Sequence, residues 1–284
     1  MFIEVLKSIF LGIVEGVTEW LPISSTGHLI LVDAFLKLDV SAEFMKMYLY
    51  VIQLGAILAV VLLFFHKLNP FSAKKSAARR QQAWTLWGKV AVACIPSAVI
   101  GLPLNDWVDE HLENPWVVSA ALIVYGLAFL WVENRPRTFT TRRVDDISWQ
   151  TALFIGLFQT LAIIPGTSRS GATILGAILL GCSRPAAAEF SFFLAIPTMF
   201  GVSALKLGKF FVGKLTAGDP LFTGAEVAVL LSGFLVAFVV SVFCIRFLME
   251  FVKKHDFKVF GWYRIALGAV MLILFGILAA FAAE

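Results

Sequence analysis

The hydrophobic positions of the chain gather into long runs that are separated by short polar segments. Six of these runs approach the length of about 20 residues that a helix needs to cross the hydrocarbon core of a bilayer. They occupy positions 47–65, 90–104, 116–132, 187–205, 225–247 and 265–281. Continuous apolar runs of this kind predict membrane-spanning α-helices.

Two further apolar regions, 9–36 and 152–180, are interrupted near the middle by Pro, Gly, Ser and charged residues. Each predicts a pair of short helices that meet at a polar break, as in re-entrant or discontinuous membrane elements. We therefore expect an all-α polytopic membrane protein with about ten helices, forming a single integral membrane domain over 1–284.

The composition supports this prediction. Hydrophobic residues make up 60% of the chain, charged residues 15%, and the mean hydropathy is +0.88. Soluble domains carry about 25% charged residues, so a soluble globular protein is excluded. The net charge of +4 is modest and unevenly distributed between loops, which predicts orientation in a membrane rather than nucleic-acid binding. Membrane lipids are the expected environment.

The charged residues of the loops predict the orientation. Three loops are basic: Lys67, Lys74, Lys75, Arg79 and Arg80 in the first, Arg135, Arg137, Arg142 and Arg143 in the second, and Lys253, Lys254 and Lys258 in the third. The segment 105–115, which we predict to be a loop, has no Lys or Arg but contains Asp106, Asp109, Glu110 and Glu113. The positive-inside rule places the basic loops in the cytoplasm and the acidic segment outside. Both termini then lie outside, and the two broken segments enter from opposite sides.

A weak internal repeat agrees with this inverted arrangement. A shift of 144 positions aligns Ser24 with Ser168 and also matches Gly12 with Gly156, Glu15 with Gln159, and Gly27 with Gly171. A second match, at 136, puts Gln53 opposite Glu189. We predict an inverted-topology repeat with halves at about 1–132 and 149–284, and with both breaks near the bilayer midplane, where such folds build binding sites.

The first break contains two acidic residues, Glu15 and Glu19, whose spacing of four puts them on one helical face. An ionised side chain at membrane depth costs about 2.5–3.5 kcal/mol or more. A divalent cation such as Mg²⁺ or Ca²⁺, which prefers oxygen ligands, would offset that cost. Glu15 and Glu19 are therefore candidate metal ligands, and the alternative is a pair of interfacial charges in headgroup water.

Three consecutive hydroxyl residues follow, Ser24, Ser25 and Thr26, between Pro22 and Gly27. They can cap a new helix whose free N–H groups favour an anion. His28 lies three residues beyond Ser25, within reach on a helical turn, and a hydroxyl beside an imidazole is typical of an activated nucleophile. The alternative is a set of simple caps and a packed histidine.

The second break spans 165–171, and Arg169 is the only charged residue between Asp146 and Arg184. A guanidinium matches phosphate oxygens, and the glycines Gly166 and Gly171 let backbone N–H groups approach an anion. The alternative is an arginine that reaches the membrane interface. Gln53 and Glu189, polar residues within apolar spans, are expected to support the site.

The motifs EGVTEWLPISSTGH at 15–28 and PGTSRSG at 165–171 resemble the paired signatures of the bacterial undecaprenyl pyrophosphate phosphatases linked to bacitracin resistance. The segments VIQLGAILAV from Val51 and AAAEFSFFLAIP from Ala186 are also similar to that family, so the likeness covers most of the chain. The resemblance implies hydrolysis of undecaprenyl pyrophosphate to the monophosphate carrier of cell-wall synthesis. It also implies a divalent-cation requirement and an active site on the outer side of the cytoplasmic membrane.

Carried over by residue, the resemblance implies a catalytic set of Glu15, Glu19, Ser25, His28 and Arg169. The expected phosphate-binding residues are Ser24, Thr26, Gly27, Gly166, Ser168, Ser170 and Gly171. In the expected mechanism the two glutamates hold Mg²⁺ or Ca²⁺ against the pyrophosphate while Arg169 binds the terminal phosphate. Ser25 attacks or orients water with His28 as general base, and the identity of the nucleophile (Ser25, His28 or water) stays open.

Two other classes compete with this hypothesis. An inverted repeat with broken helices is also typical of secondary transporters, so a transporter or lipid flippase is the main alternative. A lipid phosphatase of the vanadium-haloperoxidase-like type shares Gly-His and Ser-Arg elements, but it needs a later histidine with an acidic partner. No such histidine follows Arg169 within an apolar span.

Overall fold

The apolar runs are helical, because a helix satisfies its backbone N–H and C=O groups within one segment in lipid. The structure is a computed structural model that describes residues 1–136, 138–218 and 220–282, with the backbone alone at 105, 106, 109 and 282. The described residues form eleven α-helices: α1 Phe2–Thr18, α2 Ser25–Asp33, α3 Ala42–Leu63, α4 Phe65–Leu68, α5 Ala77–His111, α6 Pro115–Glu133, α7 Trp149–Thr160, α8 Arg169–Leu179, α9 Arg184–Ala217, α10 Gly224–Lys254 and α11 Lys258–Ala282. Two 3₁₀ helices cover Val144–Asp146 and Leu161–Ile163, and these residues include no β-strand.

Six helices are long and apolar enough to cross a membrane: α3, α5, α6, α9, α10 and α11. Each overlaps one of the six predicted spans, and several extend well beyond it. Helix α9 is 34 residues long, whereas the apolar run predicted only 187–205. The prediction of an all-α polytopic membrane protein is confirmed.

The acidic segment 105–115 is mostly helical, so its prediction as a loop was wrong. Helix α5 continues to His111, and Val108 within the segment is buried. Apolar residues recur at a spacing of four at Leu104, Val108 and Leu112, so one face of the helix stays apolar among the acidic residues. Three residues used for the loop charges lie outside the described part of the structure: the side chains of Asp106 and Asp109, and Arg137.

The long helices run between two ends of the bundle. We call one of them the Arg184 end. There the start of α9 lies next to the end of α6, and Arg184 Nε donates to Glu133 Oε1 at 2.9 Å. The N–H of Phe257, just before α11, donates to the same oxygen at 3.1 Å. At the other, the Glu113 end, Glu113 lines a cavity together with Lys46 of α3 and Lys214 of α9. Consecutive long helices therefore cross in alternating directions.

The two broken segments enter from opposite ends, as predicted. Helix α1 begins and α2 ends at the Glu113 end, because Lys7 Nζ donates to the carbonyl of Lys37, which lines the same cavity, at 2.7 Å. The segments before α7 and after α8 meet at the Arg184 end, where Thr140 N–H donates to Gly181 O at 3.0 Å. Each segment turns back inside the bundle and leaves where it entered.

The buried core surrounds these broken segments, and the long helices expose apolar side chains outward. Helix α8 is buried from Ser170 to Ile178. In contrast, Phe243 of α10 and Ile273 of α11 are each 64% exposed. An apolar exterior of this extent is suited to contact with lipid tails rather than water.

Candidate functional site

The two breaks meet inside the bundle although about 150 positions separate them in sequence. Ser170 Oγ donates to the carbonyl oxygen of Glu19 at 3.2 Å, and Arg169 Nη2 donates to Glu19 Oε1 at 3.1 Å. Glu19 directly follows α1, and Arg169 is the first residue of α8. The first break therefore contributes the carboxylate and the second contributes the guanidinium of one site.

Both breaks end in the same unusual turn. Ser24 has φ 72° and Ser168 has φ 70°, and these are the non-glycine residues with positive φ among those described. Each caps the next helix, since Ser24 Oγ accepts from Gly27 N–H at 3.4 Å and Ser168 Oγ accepts from Gly171 N–H at 3.1 Å. Left-handed backbone at non-glycine residues costs free energy and clusters at functional sites. The turns aim the residues that follow, Ser25 and Arg169, into the same space.

The backbone at position 166 requires a glycine. Its φ is +89°, and a Cβ there would overlap the backbone of Val118 in α6. A side chain at this position would therefore be strained and sterically excluded. Gly166 lets the second break pack directly against α6.

The Glu19 carboxylate lies at the centre of the site with 7% of its side chain exposed. Its Oε2 accepts a hydrogen bond from Ser25 Oγ at 2.8 Å, while its Oε1 accepts from Arg169. Arg169 Nη1 also donates to the carbonyl of Ser191 at 2.9 Å. Its buried Nε–H has no hydrogen-bond partner among the described residues. Glu19 thus connects the serine hydroxyl to the guanidinium.

His28 forms no hydrogen bond with Ser25, contrary to the expected serine–histidine pair. Its Nδ1 lies 2.7 Å from the carbonyl oxygen of Ser24, and its Nε2 lies 2.7 Å from the hydroxyl of Tyr263. Because a carbonyl only accepts, Nδ1 carries the proton, and Nε2 of a neutral ring accepts from Tyr263. Sequence spacing alone missed this because Tyr263 belongs to α11. The acceptor for the Ser25 hydroxyl is Glu19.

A cavity of about 1030 Å³ leads from this site to the Glu113 end. Four predicted site residues line it, namely Glu15, Ser25, Thr26 and Gln53. Its outer part is lined by five lysines, Lys37, Lys46, Lys206, Lys209 and Lys214, and by acidic residues that include Asp33 and Glu43. Apolar residues such as Leu29 and Phe210 complete the lining. The cavity suits an amphiphile with an anionic group.

Glu189 lies away from the cavity. Its Oε1 accepts from Lys67 Nζ at 2.9 Å, and the same Lys67 lies 3.6 Å from Asp145 Oδ2. This cluster lies at the Arg184 end, where Lys67 follows α3 and Glu189 belongs to the first turns of α9, so the structure does not bring Glu189 to the site. Gln53, its partner in the repeat alignment, does line the cavity.

Two residues of α11 were missed by the sequence analysis. Tyr263 holds His28, and Arg264 is fully buried between the breaks. The predicted span began at 265, which placed Arg264 at a helix end. In fact α11 begins at Lys258, so Arg264 lies well inside the helix. Arg264 is the only charged residue between Lys258 and Glu284, a weaker form of the signal that singled out Arg169.

The carboxylates of the site could supply some, but not all, of the ligands of a hard cation such as Mg²⁺. Among the described residues, no group of three or more His, Cys, Asp or Glu side chains could hold a metal ion. Glu15 is 2% exposed and lines the cavity, and its carboxylate accepts no hydrogen bond from a described residue. Glu19 lies one helical turn further along. Mg²⁺ is commonly held by one or two carboxylates together with substrate phosphates and water. This donor set is compatible with such a cation.

The fold and the site together define a class: polytopic α-helical membrane proteins in which two oppositely inserted broken helices form a buried Glu–Ser–Arg site beside an amphiphilic cavity. The family described as "Bacitracin resistance protein BacA" matches residues 8–270. The chain belongs to this family.

Curated relatives extend the match over nearly the whole chain. A protein of Latilactobacillus sakei named undecaprenyl-diphosphatase is 60% identical over 95% of this chain and 97% of its own length. Proteins with the same name from Streptococcus thermophilus and Enterococcus faecalis are 58% and 56% identical. They cover 95% and 96% of this chain, and 93% and 98% of their own lengths.

Proposed function

We propose that this protein is an undecaprenyl-diphosphatase, a membrane hydrolase that converts undecaprenyl pyrophosphate to the monophosphate carrier and phosphate in cell-wall lipid recycling. The observation that carries the proposal is the Ser25–Glu19–Arg169 arrangement at the inner end of an amphiphilic cavity. Relatives that carry this name match the chain over nearly its full length.

In the proposed mechanism, Ser25 Oγ is the nucleophile and Glu19 is its general base. The hydroxyl already donates to Glu19 Oε2 at 2.8 Å, so the carboxylate takes its proton as Oγ bonds to the terminal phosphorus. The bond from that phosphorus to the bridging oxygen breaks, and the lipid monophosphate leaves. Water then hydrolyses the phosphoserine and releases inorganic phosphate.

Arg169 supplies the positive charge at the transferred phosphoryl group. Two of its nitrogens are held by Glu19 and by the carbonyl of Ser191. Each of these two nitrogens carries a second N–H, which can donate to a phosphate oxygen. The N–H groups at the start of α2 and α8, next to Gly27 and Gly171, add donors that favour an anion.

We further propose that Glu15 and Glu19 hold a divalent cation, Mg²⁺ or Ca²⁺. Such a cation neutralises charge on the pyrophosphate oxygens when bound. Glu15 serves this purpose better than Glu19, because Glu19 is already engaged by Ser25 and Arg169. His28 is assigned a supporting role: with Tyr263 it keeps the Ser24 turn in place.

The proposed orientation places the Glu113 end outside the bacterial cytoplasmic membrane. The acidic residues before α6 lie at that end together with the cavity lysines, while the basic loops, with Lys67 and Arg143 among their residues, lie at the other. By the positive-inside rule the cavity then opens to the outer face. The prenyl tail extends along the apolar part of the cavity lining toward lipid.

The test is release of inorganic phosphate from undecaprenyl pyrophosphate by the purified protein in detergent, with and without a chelator. We expect metal-dependent release by the wild type and loss of release in Ser25→Ala. Ser148→Ala is the control, because Ser148 is likewise a serine at the start of a helix but lies at α7, away from the site. Absence of release by folded wild type, especially with coupled ion flux in vesicles, would instead support the transporter alternative.

A further inference from the structure

A second arginine joins the two breaks and contributes no group to the chemistry proposed above. Arg264 of α11 is 0% exposed. Its Nη1 donates to the carbonyl of Pro22 at 3.1 Å, and its Nη2 donates to the carbonyls of Gly166 and Thr167, both at 2.9 Å. Its Nε donates to the carbonyl of Leu122 in α6 at 3.4 Å.

The accepting carbonyls identify what this side chain does. Pro22 lies in the connection between α1 and α2, and Gly166 and Thr167 lie in the connection between α7 and α8. Outside a helix these carbonyls lack the regular N–H partner four residues on, and in a membrane an unsatisfied carbonyl is costly. One planar guanidinium thus satisfies both connections at once.

The contacted carbonyls of the two connections lie two or three residues before Ser25 or Arg169. Pro22 comes two residues before Ser24, the left-handed turn that aims Ser25. Thr167 immediately precedes Ser168, the left-handed turn that aims Arg169. A shift of either carbonyl relative to the other changes the separation of Ser25 and Arg169, which both contact Glu19.

We propose that Arg264 is a positioning residue for this reaction: it fixes the turn that carries Ser25 relative to the turn that carries Arg169. The inference rests on the proposed function. A lysine cannot replace the guanidinium, because a single ammonium cannot reach carbonyls on both connections with the same planar geometry.

An arginine that only holds helices together would pair with a carboxylate. Arg184 shows that role in the same protein, since it forms a two-pronged ion pair with Glu133 that ties α9 to α6 at the bundle end. The hydrogen bonds of Arg264 among the described residues all go to carbonyls, not to a carboxylate. A buried cation without an anionic partner is costly to keep, and apolar packing would stabilise the helices equally well.

The experiment compares Arg264→Lys and Arg264→Ala with Arg184→Ala, all normalised to folded protein by thermal unfolding in detergent. Wild-type phosphate release in the same assay tests the proposed function separately. For Arg264→Lys we expect kcat to fall by about 10- to 100-fold, as displacement of reacting groups by about 1 Å produces. We expect KM to stay within about threefold, because substrate binding groups remain.

Added guanidinium ion at non-denaturing concentration supplies the second readout. We expect it to restore part of the kcat of Arg264→Ala by occupying the vacated space, and to leave Arg184→Ala unchanged. Arg184→Ala should lower the unfolding temperature while the kcat of the folded fraction stays at the wild-type value.

Three results would overturn the inference while wild type remains active. One is full kcat in both Arg264 variants. Another is a loss that disappears after normalisation to folded protein. The third is failure of both Arg264 variants to fold, which would make Arg264 a folding residue rather than a positioning residue.

Discussion

The two oxygens of the Glu19 carboxylate accept hydrogen bonds from different partners, and replacing Glu19 by glutamine would keep only one of these bonds. Its Oε1 accepts from Arg169 Nη2 at 3.1 Å, and its Oε2 accepts from Ser25 Oγ at 2.8 Å. In Glu19→Gln the remaining oxygen can serve Arg169, and the new NH₂ group, a donor, then faces Ser25. The hydroxyl proton loses its acceptor. Loss of a general base costs about 10²- to 10⁴-fold in rate, or about 2.7–5.4 kcal/mol of barrier at 1.36 kcal/mol per tenfold.

The same substitution also affects stability. The side chains of Arg169 and Glu19 are 13% and 7% exposed, so the pair is largely buried. Removing one charge of a buried pair costs about 3–5 kcal/mol when the other is left without compensation. Because glutamine keeps one hydrogen bond to Arg169, we expect the lower part of that range and a reduced unfolding temperature. Turnover must therefore be normalised to folded protein.

The assay is phosphate release measured against substrate and against Mg²⁺ or Ca²⁺. Glu15→Gln should retain some turnover but need a higher cation concentration, since Glu15 is the carboxylate proposed to bind the cation. Glu189→Gln is the matched control, because that carboxylate pairs with Lys67 at the far end of the bundle. Wild-type turnover by folded Glu19→Gln would refute the general-base assignment, and an equal loss in Glu189→Gln would show that the effect is not specific to the site.

Two further predictions concern the guanidinium and the orientation. Arg169→Lys keeps the charge but loses the fork that serves Glu19 and Ser191 together, so turnover should fall by at least about tenfold; wild-type activity would contradict the proposed phosphate contact. In a cysteine-free background, single cysteines in 74–80 should be labelled only from the cytoplasm and those in 106–113 only from outside, and the reverse pattern would invert the proposed orientation.

The helices and the breaks could be predicted because their causes are local. A long apolar run specifies a membrane helix by length and composition alone. Pro22 and Gly166 interrupt such runs, and both fall in the non-helical connections of the structure. The end of α5 was misjudged because an amphipathic turn with several acids was taken as a loop. The division into repeat halves stays a prediction, although Ser24 and Ser168 share φ values and capping contacts.

The partners inside the site could not be read from spacing along the chain. His28 was paired with Ser25 because three residues separate them, yet its ring meets Tyr263, which is 235 positions away. Ser25 meets Glu19 because the left-handed turn at Ser24 directs the chain back toward the end of α1. Such contacts depend on how whole helices pack, and a single sequence contains no local signal for them.

The buried charges explain why a cation is expected to accompany this substrate. Around the breaks, Glu15 and Glu19 when ionised carry two negative charges, and Arg169 and Arg264 carry two positive charges. Their sum is zero before substrate is present. A phosphate group adds about −1.5 to −2 at neutral pH, and a pyrophosphate brings at least that much into a region where unbalanced charge is costly. The lysines of the cavity lie toward its outer end, and at the inner end Arg264 is already bound to carbonyls. The divalent cation proposed at Glu15 would restore the balance.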